Sequence, residues 1–209
     1  MAKISSIIFD LDGVLIHSAT AHEQAFLTIL KEIGVKTFHY ERYAGQRTDE
    51  VFATLLKSAS PQEIEALAKK KRKLAFSELR RTRPLVPHCR EHLTLFKSRA
   101  RLALATSSSR QQMELFFELS QTRPLFEVTL CGEDVQRGKP NPEIFFNCAT
   151  QMNIPPSECL VIEDSEAGIM AALAGGFRVL QIGPAISQPH TLGHIADLTE
   201  LNTWLGNET

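Results

Sequence analysis

The stretch Ile4 to Gly13, ISSIIFDLDG, decides how the rest of the chain is interpreted. Its apolar run ends at Phe9, and Asp10 and Asp12 follow at once. A short continuous apolar run is typical of a strand that is buried on both faces of a parallel sheet. Because ligands of such sheets bind beyond the carboxyl ends of the strands, the two aspartates stand where a site is expected.

Four more apolar runs of this kind recur along the chain, and helical patterns lie between them. Strands that alternate with helices predict an α/β fold with a doubly wound, Rossmann-like parallel sheet. The five predicted strands are Ile4–Phe9, Leu102–Ala105, Val128–Leu130, Cys159–Ile162 and Val179–Ile182.

One region breaks the alternation, because residues 18–83 contain no convincing strand pattern. Apolar residues there recur at helical spacing in three stretches, one ended by Gly34, one around Val51, and one opened by Pro61. We therefore predict an all-helical cap domain over residues 17–84, inserted into a core domain formed by residues 1–16 and 85–209.

Bulk properties narrow the class of protein. The chain has 209 residues, 43% apolar and 22% charged, and a formal net charge of -1. This balance gives no support to a nucleic-acid or membrane partner, and no apolar stretch approaches the roughly 20 residues of a membrane span. The four cysteines form no CxxC pair, which favours reduced thiols and a cytoplasmic location. A monomer is the default expectation.

Polar residues lie at the ends of four predicted strands or within a few residues of them. Together they suit the binding of a divalent cation and a phosphate group. Carboxylates would hold a hard divalent cation, hydroxyls and amides would hold phosphate oxygens, and a lysine would supply fixed positive charge. Converging carboxylates also need such a cation, because they repel one another. The segments are Asp10 with Asp12, Thr106–Ser109, Gly138–Pro140 and Glu163–Asp164.

These segments resemble, in order and in spacing, the four motifs of the haloacid dehalogenase (HAD) superfamily. The chain is similar to the members with a helical cap, such as β-phosphoglucomutase and sugar-phosphate phosphatases. The resemblance covers nearly the whole core. It rests on FDLDGVL at Phe9–Leu15, Thr106-Ser107, GKPNP at Gly138–Pro142, and EDSxxGI at Glu163–Ile169.

The resemblance implies Mg²⁺ as the cofactor and assigns the carboxylates. Asp10 would be the nucleophile and a metal ligand. Asp12 would act as general acid and base, and its backbone carbonyl would be a metal ligand. Asp164 would bind the metal directly, and Glu163 would be either a ligand or a partner of the ligands.

The resemblance also implies which groups hold the phosphate. Thr106 and the amide of Ser107 would bind phosphate oxygens, and Lys139 would bridge phosphate and nucleophile. A helix cap at Thr106–Ser109 would use the same amides, so both roles are compatible. For Lys139, the alternative is an exposed loop cation.

Three cap residues are predicted to reach the substrate. His22 follows Asp12 by ten residues, the spacing at which related mutases carry a histidine that orients the acid/base aspartate. Arg47 lies in a segment that resembles the substrate-contact loop, although an ordinary turn is the alternative. Lys71 is the candidate within the basic run Lys69–Lys73, most of which is expected to be solvated.

The leading functional prediction is an Mg²⁺-dependent phosphatase of a small phosphorylated metabolite, with sugar phosphates among the candidates. A β-phosphoglucomutase-like mutase is the main alternative, and a non-catalytic binding protein is a further one. Asp12 argues against a dehalogenase of the same family, which normally lacks the second aspartate. Phosphonate hydrolysis has no candidate lysine near Gly45.

Overall fold

The computed structural model of the protein describes residues 3–186 and 190–207. Its centre is a six-stranded sheet in which all neighbouring strands are parallel, in the order β3-β2-β1-β4-β5-β6. The predicted α/β class is confirmed, and the five predicted strands are present. The strands are β1 (Ser6–Phe9), β2 (Arg101–Ala105), β3 (Phe126–Leu130), β4 (Cys159–Glu163), β5 (Arg178–Ile182) and β6 (His194–Ile195).

Burial on both faces explains why the strands read as continuous apolar runs. Ile7 and Phe9 of β1 belong to one hydrophobic layer, and Ile8 belongs to the layer on the opposite face. All three side chains are fully buried. Each of these positions therefore has to be apolar, unlike the alternating pattern of a half-exposed strand.

Helices cover both faces of the sheet. Residues of α4, α5 and α8 belong to the layer around Phe9, and residues of α6 and α7 belong to the layer around Ile8. The sequence patterns had not singled out α4, α8 or the short β6. These helices are α4 (Cys89–Lys97), α5 (Arg110–Ser120), α6 (Glu143–Met152), α7 (Glu166–Ala174) and α8 (Leu198–Asn207).

Three of the helices between β1 and β2 share a hydrophobic cluster of their own. Phe26 lies at the centre of this cluster, with its ring centroid 5.1 Å from that of Phe38 and 5.3 Å from that of Phe52. A capping box at Ser60 and Glu63 fixes the start of the longest helix. The helices are α1 (Ala19–Glu32), α2 (Thr48–Leu55) and α3 (Pro61–Thr82).

Two neighbouring chain segments connect this helical part to the sheet. Ile16 and Leu85 form an antiparallel bridge, and the His17 amide donates to the Pro84 carbonyl at 2.8 Å. The chain thus leaves and re-enters the core at one place. These bonds lie beside the predicted boundaries of the cap domain, 16/17 and 84/85, which stay a prediction.

The cysteines were expected to carry reduced thiols. All four cysteines are buried and unpaired. None of the helices within residues 3–186 and 190–207 combines the length and the apolar character that a membrane-spanning helix needs.

Candidate active site

The polar strand ends meet at the carboxyl edge of the three central strands. Asp10 follows β1, Thr106 follows β2, and Asp164 follows β4. β1 pairs with both β2 and β4, so it is the strand from which the chain order runs outward in both directions. Parallel sheets bind their ligands at such a reversal point.

Lys139 connects two of the carboxylates at the bottom of the site. Its Nζ donates to Asp10 Oδ1 at 2.5 Å and to Glu163 Oε1 at 2.6 Å, and a third bond goes to the Ala105 carbonyl at 3.0 Å. The lysine is 1% exposed, which excludes the alternative of a loop cation. Burial alone would lower the pKa of Lys139, but Asp10 and Glu163 raise it above its usual range, so the ammonium stays charged.

Three carboxylates are close enough to share a cation. Asp10, Glu163 and Asp164 each place an oxygen within 4.8 Å of the others. Burial raises the pKa of Asp10 to about 8 against the opposing charge of Lys139. Burial and then the charge of Glu163 raise the pKa of Asp164 well above its usual range. A hard divalent cation would offset this cost, and the all-oxygen donor set fits Mg²⁺.

The carboxylates of this cluster differ in their availability to a metal. Both oxygens of Glu163 are already engaged, Oε1 by Lys139 and Oε2 by the amide and hydroxyl of Ser165 at 3.0 and 2.9 Å. Asp164 approaches the Gly13 backbone so closely that a Cβ there would lie 1.8 Å from Oδ2. Only glycine fits at this position, which also has a φ of +79°. Asp10 and Asp164 are thus the better placed ligands.

The Asp12 carboxylate is not part of this cluster and sits in a ring of hydrogen-bond donors. Ser18 Oγ donates to Oδ1 at 2.5 Å, and Gln112 Nε2 donates to the same oxygen at 2.7 Å. Ser108 Oγ donates to Oδ2 at 2.5 Å. Burial would raise the pKa of Asp12, but the His22 ring and these hydroxyls lower it below its usual range. The pKa of Asp10 is therefore raised and that of Asp12 lowered, although the two residues are only two positions apart.

A buried chain of polar groups runs from the cap helix α3 to Asp12. Lys71 Nζ lies 2.6 Å from His22 Nδ1, and His22 Nε2 lies 3.1 Å from Asp12 Oδ1. Burial and then the charge of Lys71 lower the pKa of His22, which favours the neutral ring. A neutral ring satisfies both contacts when Nδ1 accepts from Lys71 and Nε2–H donates to Asp12.

The segment after β2 supplies hydroxyls and one amide. Thr106 is fully buried, and its Oγ1 accepts from the Ser108 amide at 3.0 Å. Ser107 Oγ donates to the Gly45 carbonyl at 2.6 Å and so links this segment to the cap. Within residues 3–186 and 190–207, the Ser107 amide has no hydrogen-bond acceptor. Ser109 caps α5 by accepting from the Gln112 amide at 3.3 Å, so capping and an open amide coexist here.

A cavity extends from Asp10 to the cap. Arg47 lines it from the start of α2, but its guanidinium is engaged: Nη2 bonds to Asp49 at 2.8 Å and Nη1 to the Val135 carbonyl at 3.1 Å. Glu50 accepts from the Gly138 amide at 2.9 Å and adds a second bond from α2 to the core. The residues predicted for the site that line this cavity are Asp10, Asp12, His22, Arg47, Lys71 and Ser107.

The remaining predicted residues, Thr106, Lys139, Glu163 and Asp164, surround Asp10 and Asp12 from the core. Sequence reasoning missed Gln112, Ser18 and Ser108 as partners of Asp12. A signal for Gln112 existed, since it is the one amide side chain on the buried face of α5. A polar residue in an apolar stripe is itself an indication of a buried bond.

Comparisons with known proteins show which proteins the chain is similar to. The family model described as haloacid dehalogenase-like hydrolase matches residues 7–182. A probable pseudouridine-5'-phosphatase of Drosophila melanogaster is 32% identical over 206 residues, covering 91% of this chain and 87% of that protein. A phosphorylated carbohydrates phosphatase of Thermotoga maritima is 31% identical over 184 residues, covering 84% and 83%. The crystal structure of a β-phosphoglucomutase from Clostridium difficile superposes with a TM-score of 0.85 at 23% identity, covering 98% of each chain, and so shares the fold.

Proposed function

The chain belongs to the haloacid dehalogenase-like hydrolases, and on this premise we propose that it is an Mg²⁺-dependent phosphatase of a small phosphorylated metabolite. The observation that carries the proposal is the contrast between Asp10 and Asp12. Asp10 is held by a charged lysine beside other carboxylates, whereas Asp12 is held by neutral donors. Two neighbouring carboxylates in such different surroundings can take different roles, with Asp10 beside the charged groups and Asp12 among the groups that orient it.

Asp10 would attack the phosphorus atom. Lys139 engages its Oδ1, and Oδ2 accepts no hydrogen bond within the described part of the chain. An oxygen–phosphorus bond forms, the bond to the leaving oxygen breaks, and an aspartyl-phosphate on Asp10 results. This covalent step divides one difficult displacement into two easier ones.

Asp12 would serve both halves of the reaction. Asp12 would have to enter the first half protonated, against the contacts that lower its pKa, and it would give this proton to the leaving oxygen. In the second half a water molecule loses a proton to Asp12 and attacks the aspartyl-phosphate, the bond between phosphorus and the Asp10 oxygen breaks, and inorganic phosphate leaves. His22 and Gln112 fix the orientation of the carboxylate. General acid–base help of this kind contributes roughly 10²- to 10⁴-fold to the rate.

Mg²⁺ would be held by Asp10 and Asp164, with the Asp12 backbone carbonyl as the further ligand that the family resemblance implies. When bound, the ion would neutralise charge on the phosphoryl oxygens. Glu163 keeps Lys139 in place through the bond at 2.6 Å. Thr106 and the Ser107 amide would receive phosphate oxygens.

The helical segment 17–84 would act as a cap that closes over the site and excludes bulk water. Its contacts with the core support this role. Ser107 binds the Gly45 carbonyl, and Glu50 binds the Gly138 amide directly before Lys139. The hydrogen bond between Glu50 and the Gly138 amide would thus couple closure of the cap to the position of Lys139. A cytoplasmic location and a monomeric state stay predictions from the sequence.

Relatives support the substrate class. The similar proteins include phosphatases named for phosphorylated carbohydrates and for pseudouridine 5'-phosphate. Both names describe phosphate esters of hydroxylated carbon skeletons. We therefore place sugar phosphates first among the substrates to be tested.

A phosphosugar mutase is the second candidate, and the Lys71–His22–Asp12 contacts favour it. A mutase must hold its acid/base group firmly while the sugar phosphate reorients, and these contacts do so at 2.6 and 3.1 Å. Activation by a sugar bisphosphate, with net transfer between two hydroxyls and little free phosphate, would support the mutase.

The experiment that tests the phosphatase is phosphate release from a panel of phosphorylated metabolites, with and without Mg²⁺, by wild type and Asp10→Asn. We expect metal-dependent release that the substitution abolishes, because an amide is not a nucleophile for phosphorus. Circular dichroism of Asp10→Asn provides the folding control. Undiminished release by this variant would refute the mechanism.

A further inference from the structure

The far end of the cavity, on the cap side, indicates what the part of the substrate beyond phosphorus must be like. We propose that the substrate is the monophosphate of an otherwise uncharged sugar or polyol, an inference that rests on the proposed function. The cap-side end of the cavity is closed to a second phosphate, because each cation that lines it is already paired or buried and acidic groups stand beside it. The phosphatase is thereby selective for monophosphates.

Arg47 is the cation best placed to meet a second phosphate, and its donors are occupied. Nε and Nη2 bind the two oxygens of Asp49 at 3.3 and 2.8 Å in a bidentate pair, and Nη1 binds the Val135 carbonyl at 3.1 Å. A bidentate guanidinium–carboxylate pair is strong and directional. Arg47 thus fixes α2 to the core and presents no free donor pair to a ligand.

The other two cations are also engaged, Lys71 in the interior and Arg72 in an ion pair nearer the surface. Lys71 is 2% exposed, and its Nζ contacts His22 Nδ1 and lies 4.3 Å from the centre of the Phe26 ring. Burial lowers the pKa of Lys71 to about 7, which weakens it further as an anion receptor near neutral pH. Arg72 Nη2 binds Glu65 at 2.6 Å.

The remaining polar groups at this end are acidic or neutral. Asp49 and Arg47 together carry no net charge, and Glu133, which lines the cavity from the core, would repel a second phosphate. Tyr40 and Thr48 also line it, and within residues 3–186 and 190–207 their hydroxyls form no hydrogen bond. An aromatic ring with an open hydroxyl, next to a threonine, suits the C–H faces and hydroxyl groups of a sugar or polyol.

A phosphatase and a mutase make different demands on the cap-side end of the cavity. A mutase that passes through a sugar bisphosphate has to hold one phosphate at Asp10 and the other at the far end of the cavity, and then exchange them. Because Arg47 is bound to Asp49, the cap-side end of the cavity would bind a second phosphate weakly. It can accommodate a neutral alcohol without this disadvantage.

The first test compares a hexose 6-phosphate with the 1,6-bisphosphate of the same hexose, measured as kcat/KM for phosphate release by the Mg²⁺-loaded protein. We expect a value at least about tenfold lower for the bisphosphate, the effect of about 1.4 kcal/mol of repulsion. An equal or higher value for the bisphosphate overturns the inference while leaving the phosphatase standing.

The second test removes the carboxylate that binds the Arg47 guanidinium. In Asp49→Asn we expect the ratio of bisphosphate to monophosphate kcat/KM to rise by about tenfold, because the guanidinium loses its charged partner. Glu114→Gln, which removes the exposed partner of Arg123 on α5, is the matched control and should leave the ratio as in wild type. An unchanged ratio in Asp49→Asn contradicts the inference.

A binding measurement keeps the inference testable even if no hexose phosphate is hydrolysed. The melting temperature of Asp10→Asn is measured with the monophosphate and with the bisphosphate at equal concentration. A larger shift with the monophosphate supports the selectivity whatever the turnover. A larger or equal shift with the bisphosphate, or no shift with either, overturns it.

Discussion

Lys71 and His22 are 49 positions apart in sequence, and Nζ of the one lies 2.6 Å from Nδ1 of the other in the interior of the cap. Lys71 comes from the middle of α3 and His22 from the first turn of α1. The contact favours the ring tautomer in which Nε2–H is directed at Asp12, since Nδ1 then accepts from Lys71. A cap helix thus determines how a hydrogen bond is made to the candidate acid/base group.

Replacing Lys71 should lower the activity of the protein without lowering its stability. In Lys71→Met we expect kcat to fall by about tenfold, because His22 loses the partner that fixes its tautomer. The free energy of unfolding at pH 7 should not fall, since a methionine of similar length avoids the cost of burying an ammonium. Urea unfolding and steady-state kinetics measure the two quantities, and Lys69→Met, an exposed neighbour, is the control.

The pH dependence of stability provides an independent readout for the same residue. Burial lowers the pKa of Lys71 from 10.5 to about 7, so between these values the unfolded chain binds a proton that the folded chain does not. Stability contributed by this group must therefore rise from pH 7 towards pH 10, at about 1.4 kcal/mol per pH unit at most. The rise should be smaller in Lys71→Met than in wild type, and parallel curves would contradict the lowered pKa of Lys71.

The position of Lys71 on the buried face of its helix could be predicted in part from the sequence. Ile64, Ala68, Ala75 and Leu79 form the buried stripe of α3, and Lys71 falls on that stripe at helical spacing. The strand ends likewise followed from apolar runs and polar breaks, and the four motifs followed from the resemblance to the family. The partners of the motif residues did not, because contacts such as that between Gln112 and Asp12 depend on how separate elements pack. β6 was missed because a strand of two residues carries no periodic signal.

Gln112 is predicted to act by positioning Asp12. In Gln112→Leu the bond of 2.7 Å to Asp12 Oδ1 is lost. We expect kcat/KM to fall by about tenfold or more for an alkyl phosphate, whose leaving oxygen needs a proton. It should fall much less for an aryl phosphate with a good leaving group, which needs none.

The control for this prediction is Gln111→Leu, since Gln111 is the exposed neighbour on the same helix. Equal losses for the alkyl and aryl substrates would assign Gln112 a structural role only. An unaffected Gln112→Leu variant would show that the other donors to Asp12 suffice.

Metal binding should appear as stabilisation, independently of turnover. Asp10, Glu163 and Asp164 repel one another in the absence of a cation, so Mg²⁺ should raise the melting temperature of wild type. In Asp164→Asn we expect this shift to vanish and the metal-free protein to melt no lower than metal-free wild type. Differential scanning fluorimetry with EDTA and with Mg²⁺ measures both, and Glu118→Gln, an exposed carboxylate, is the control. A full Mg²⁺ shift in Asp164→Asn would place the ion elsewhere.

The packing beneath the site can be tested at Gly168 in α7. A Cβ at this position would lie 1.8 Å from Glu163 Oε1, and Glu163 is fully buried between Lys139 and Ser165. Helix propensity alone favours alanine over glycine by up to about 1 kcal/mol. Overpacking of a rigid interior costs about 1 to 3 kcal/mol, and the displaced carboxylate would also release Lys139. We therefore expect Gly168→Ala to lower both the melting temperature and kcat.

The matched control is Gly206→Ala in α8, where the nearest atom to a new Cβ is Arg99 Nη1 at 4.0 Å. This variant should be as stable as wild type, since the helix gains propensity and meets no clash. The comparison isolates the close approach of α7 to Glu163 from the general effect of a glycine substitution. If both variants were equally stable and active, the Glu163 side chain would have to move without cost. The bond that it makes to Lys139 could not then be what holds the lysine against Asp10.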